Sequence, residues 1–140
     1  VVVQRGGSKG ETLTLKLPLA DGWRRRVNID WRATTWDLRR IALGGMRLEA
    51  ATPEQRAQHG IGDDKMALHV KWVGQYGDHA RAKQAGFLKG DIVIAFDGDD
   101  SPRTESTLIA TTVNGKKPGD KIPVKVIRGS ERLSLMLPVQ

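Results

Sequence analysis

No cysteine occurs in the 140 residues, which excludes a disulfide framework and a thiolate metal site and leaves the redox compartment open. No run approaches the roughly eighteen apolar residues that would span a bilayer, and no signal-like apolar segment opens the chain. A Gly-x-Ser-x-Gly nucleophile elbow is missing too. His59, His69 and His79 stand ten residues apart, a spacing that suits no ligand set on a helix or a strand. Asp97, Asp99 and Asp100 lack the later glutamate of a calcium loop and read better as a turn. The expectation is a chain with no catalytic site, no metal and no cofactor of its own.

What is present is an ordinary globular composition, 39% hydrophobic and 28% charged, so disorder is not the default. A chain of this length can bury one good core with an appendage. It begins at Val1 rather than Met and reads as a piece of something longer. The net charge of +7 is uneven. Between Gly22 and Arg47 seven arginines face Asp30 and Asp37 alone, a local excess of +5.

Gln84 to Gly98, QAGFLKGDIVIAFDG, organises the rest. Gly86 stops a helix, Lys89-Gly90-Asp91 turns the chain, Ile92 to Phe96 form a strand, and Asp97-Gly98 is the dipeptide of a tight primed turn. The Asp91 carboxylate is placed to accept backbone N–H groups in its turn. This ordered set, Ala85-Gly86-Phe87, Gly90-Asp91, the strand and Asp97-Gly98, resembles the centre of a bacterial PDZ domain. The resemblance implies an α+β fold: a small antiparallel β-sandwich or partly open barrel capped by two helices. Tandem modules of this kind are common in Do-type serine proteases of the cell envelope, where they recognise chain ends or gate the protease.

Two further stretches are near copies of each other. VVVQRGG with TLTLKLP, within Val1 to Leu17, matches VKVIRGS with RLSLMLP, within Ile122 to Leu137. PDZ domains of this kind end in such a hairpin. The expected organisation is therefore a terminal hairpin at 1–20 left from a preceding module, a basic connecting arm at 21–42, and a PDZ domain at 43–140. Trp23, Trp31 and Trp36 sit among arginines in the arm. Two readings stay open for it: an anionic surface binder that stacks on bases and neutralises phosphates, or an arm that packs its indoles on the next domain. Alternation of Val27, Ile29 and Trp31 suits a half-buried strand, and Trp36 to Ala42 suits a turn of helix.

The residues expected to carry function are Leu43, Gly44, Gly45, Met46, Arg47 and Leu48. They resemble the carboxylate-binding loop of PDZ domains, with Gly44 where a large apolar residue is usual; the loss of that side chain predicts a looser loop and a wider pocket. Glycines here would let consecutive N–H groups converge on an anion. Thr52-Pro53-Glu54-Gln55 carries the signals of a capped helix that stops at Gly60. Met66 to Val73 reads as a strand with Leu68, Val70 and Trp72 on one face, and Asp78 as the cap of a helix over 80–85. A second long helix, Thr104 to Val113, would wall the groove with Ser106, Ala110 and Val113 and face the core with Leu108 or Ile109. The implied partners are extended peptides or unfolded-protein C-termini, added as a strand, together with neighbouring domains of the same chain; an oligomer could form through the parent protein. The resemblance implies a periplasmic or envelope setting. The alternatives are a scaffold or assembly protein with no enzyme attached and, less favoured, nucleic-acid or anionic-surface binding through residues 23–40.

Overall fold

The computed structural model describes residues 2–5, 10–16, 18 and 35–140. Residues 19–34, including Trp23, Trp31 and the alternation at Val27 and Ile29, lie outside the described residues. Strands β1 (Val2–Arg5) and β2 (Glu11–Thr14) pair as an antiparallel hairpin of their own. The remaining strands, β3 (Met46–Ala50), β4 (Leu68–Val73), β5 (Ile92–Phe96), β6 (Lys121–Arg128) and β7 (Glu131–Pro138), form one antiparallel sheet in chain order. That order leaves β3 as an edge, so the sheet is open. The helices are α1 (Thr35–Leu43), α2 (Pro53–His59), α3 (Arg81–Gln84) and α4 (Glu105–Gly115), one at each stretch where the sequence carries helical signals.

The central unit forms as its residues dictate. Gly86 and Gly90 take left-handed φ of 97° and 99°, and Asp97-Gly98 take 54° and 83°, the two positive values a primed turn requires. The turn closes with Asp99 N donating to Phe96 O at 3.0 Å and Phe96 N to Asp99 O at 2.9 Å. Asp91 is buried and accepts from the Leu88 amide at 3.0 Å. Arg128 clamps it from β6 through Nε and Nη2, both at 2.8 Å, and donates to Gly86 O as well. This charge-assisted pair raises the Arg128 pKa above its ordinary value. The helix stop, the turn and the last hairpin are thereby fastened at one point.

Helix α2 carries the expected capping box: Gln55 N donates to Thr52 Oγ1, and Thr52 N to Gln55 Oε1. Asp78, by contrast, caps nothing; it lies in a 3-10 turn (Gly77–Ala80) ahead of α3 and pairs with Arg81 at 3.2 Å. Helix α1 is part of the body rather than of an arm. It buries Thr35, Arg39, Ala42 and Leu43, a stripe spaced for one helix face. The C-terminal residue ties its end down, with Gln140 N donating to Ile41 O at 3.1 Å and Gln140 Nε2 to Arg40 O at 2.8 Å. The core joins Leu43, Met46, Leu48, Val70, Phe87, Val93, Ile109, Val124, Val126 and Leu137.

Strand β4 departs from strict alternation. Arg47 faces Trp72 and Leu48 faces Val70, so Lys71 is an extra residue, a bulge. Beyond it the inside and outside of the strand exchange: Lys71 and Trp72 both face out, and Val73 returns to the core.

Candidate functional site

The site is built where α1 ends, β3 begins and α4 passes alongside. Gly44 and Gly45 turn the chain from α1 into β3 with φ of 58° and 85°. Both carbonyls are taken up by the protein: Gly44 O accepts from Ala82 N at 3.0 Å, and Gly45 O from Gly74 N at 3.1 Å. The Gly45 amide donates to Arg39 O at 2.9 Å, so the expected convergence of loop amides on an incoming anion is not met at this residue.

Gly44 does not widen a pocket either. A Cβ there would lie 2.8 Å from Ala82 N and 3.1 Å from Leu137 Cδ1, and one at Gly45 would overlap the His79 carbonyl. These glycines are dictated by close packing of α3 and its preceding turn on the loop, in addition to their φ. Leu43, Met46 and Leu48 are core residues, while Arg47 turns outward and pairs with Glu49 at 3.0 Å.

On α4, Leu108 and Ile109 face the core as the helical spacing predicts, and the residues expected to line the groove lie outside that buried face. Ser106 is half-buried, and Ala110 and Val113 are exposed. The buried face is Glu105, Leu108, Ile109 and Thr112, the i, i+3, i+4, i+7 set. Glu105 reaches β3: its Oε1 accepts from the Leu48 amide at 2.7 Å. The same carboxylate receives Arg39 of α1 in a fork, Nε to Oε1 at 3.0 Å and Nη2 to Oε2 at 2.7 Å. Arg39 is 0% and Glu105 5% exposed, and the Arg39 guanidinium lies 5.0 Å from the Trp36 ring centre.

Sequence reasoning missed Arg39 and Glu105. Arg39 was counted into the basic segment, and Glu105 was given no role. The one available signal was helical spacing, which puts Arg39 on the face of Ala42 and Leu43.

An edge strand points an amide away from its sheet, toward a helix, and that amide holds a carboxylate oxygen. Among the described residues no group of three His, Cys, Asp or Glu could hold a metal ion, and no helix is long and apolar enough to cross a membrane.

Fold and site together define a small α+β module whose edge strand β3 runs beside α1 and α4. Residues 78–139 match the family model of the PDZ domain, and the chain carries a PDZ domain. Among solved structures it is similar to the HtrA-type protease AlgW: to a variant with a decapeptide, at 26% identity and a TM-score of 0.57, over 69% of this chain, and to a variant with a tripeptide, at 26% identity and a TM-score of 0.52, over 68%. The chain spans 27% and 30% of those proteins. The HtrA3 PDZ domain bound to a phage-derived ligand (FGRWV) shares the fold at 17% identity and a TM-score of 0.50, over 69% of this chain and 82% of that one. No curated protein matches the chain significantly in sequence.

Proposed function

We propose that this chain is the peptide-recognition part of a larger HtrA-type envelope protease, and that it takes an extended peptide or a protein C-terminus as a further strand on β3. The observation that carries the reading is the Leu48 amide, which leaves the sheet edge and holds a carboxylate oxygen at 2.7 Å. That oxygen stands in for an acceptor on an incoming chain, which would take the amide over from Glu105. The similarity to an HtrA-type protease with a decapeptide supports the same reading. The groove would then run between Leu43 to Leu48 and α4, with Ser106, Ala110 and Val113 as its accessible helix wall and Glu105 at its floor against β3. Several strand hydrogen bonds at about 0.5–1.5 kcal/mol each, set against the cost of association, support roughly micromolar affinity.

The test is an amide-resolved NMR titration of the chain with a peptide ending in a free apolar residue, and with its amidated twin. The Leu48, Met46 and Ala50 amides should shift with saturation, and the free-ended peptide should bind more tightly. Unmoved β3 amides would sink the proposal; equal binding of the twins would restrict it to internal segments.

A further inference from the structure

On the outer face of the β3–β4 pair lies a cavity of about 640 Å³ that no residue of α4 lines. Its walls include Trp36, Trp72 and Tyr76 with Arg47, Lys71 and Lys89. The described phenylalanines, Phe87 and Phe96, are buried in the core, whereas all three described rings with a polar handle stand here exposed, at 41%, 48% and 86% for Trp36, Trp72 and Tyr76. Apolar surface left uncovered in this way marks a contact site, and amphipathic rings beside arginine are the composition of interface anchors. The β4 bulge makes the site, because it turns Lys71 and Trp72 to the same side.

Charge indicates the occupant. Arg47, Lys71 and Lys89 face a single carboxylate, Glu49, which pairs with Arg47 at 3.0 Å and Lys71 at 3.7 Å. Arg47 also brings a buried Nε with no hydrogen-bond partner, a donor in want of an oxygen. We propose that this cavity docks an acidic polypeptide segment carrying an aromatic residue, whose ring lies among Trp36, Trp72 and Tyr76 and whose carboxylates meet Lys71, Lys89 and Arg47. Glu49 argues against a phosphodiester chain, which carries a charge at every nucleotide and would need more cations than stand here. The site lies on the outer face of β3 and β4, away from α4, although it shares Gly45 and Arg47 with the segment that forms the strand edge.

The test is a titration of the whole chain, followed by its tryptophan emission, with the acetylated and amidated peptide Asp-Glu-Phe-Asp-Glu, which has no terminal carboxylate. Saturable binding is expected, weakened about tenfold by Lys71→Glu with Lys89→Glu and about fivefold by Trp72→Ala, the size typical of interface anchors. Replacing the peptide's acids by lysines should abolish it. Absence of saturable binding, equal binding of the lysine peptide, or stronger and steeply salt-dependent binding of a ten-nucleotide oligo(dT) would overturn the proposal. Failure at β3 in the NMR titration leaves this result standing, and the reverse also holds.

Discussion

The first and last hairpins share a sequence pattern and differ in what surrounds it. In the last, Ile122, Val124, Val126 and Leu137 are each 0% exposed. In the first, none of the described residues is buried, and Val2 and Leu15 are 69% and 47% exposed. The matching arginines part in the same way: Arg128 grips buried Asp91 by two bonds, while Arg5 is exposed. Alternation of apolar residues therefore specifies which face a hairpin offers, and the rest of the chain decides whether anything receives it. We propose on this ground that residues 1–20 are the closing hairpin of a preceding module, offering a face whose matching body lies elsewhere in the parent protein.

The comparison is broken most severely at the arginines. Arg128→Ala leaves the Asp91 carboxylate buried without its counter-ion and is expected to cost about 3–5 kcal/mol, read by urea denaturation. Arg5→Ala should fall within about 0.5 kcal/mol of the parent, as exposed substitutions do. A comparable loss at Arg5 would show that the first hairpin is seated on a body after all. Next in size is the apolar face. Leu137→Ala should cost about 2–5 kcal/mol through lost burial and a residual cavity, and Leu15→Ala about 0.5 kcal/mol or less. Removal of residues 1–18 sharpens the same point: the thermal midpoint of the remaining body should move by no more than a few degrees.

The contrast also explains what could be read from the sequence. Gly86, Gly90, Asp97 and Gly98 were legible because turn chemistry is local, and the Thr52–Gln55 box for the same reason. The last hairpin's inward face was legible from alternation. The Arg39–Glu105 pair was not, since its partners are 66 positions apart and each alone resembles a surface charge. On α4 the core face at Leu108 and Ile109 was legible from helical spacing, whereas only the partner on α1 reveals that Glu105 also turns inward. The exchange of faces in β4 was hidden because the bulge at Lys71 is a matter of pairing register with β3, which alternation within β4 alone does not carry. Gly44 was read as space when the space belongs to Ala82 and Leu137.

The smallest effect is expected where a contact is both local and exposed. Asp99 follows the Asp97-Gly98 turn and accepts from Ser101 N at 2.9 Å and from Arg103 Nη2 at 2.6 Å. The Ser101 hydrogen bonds, then Arg103, hold its carboxyl down from 3.8 to about 2. Because the folded value is the lower one, the carboxylate stabilises the fold above about pH 4 and loses that contribution as the pH falls toward 2. Asp99→Asn should thus lower the thermal midpoint slightly at neutral pH, and the difference from the parent should shrink steadily between pH 4 and 2. A difference that stayed constant over that interval would mean that the asparagine disturbs the turn itself. In that case local geometry, rather than ionisation, makes this corner.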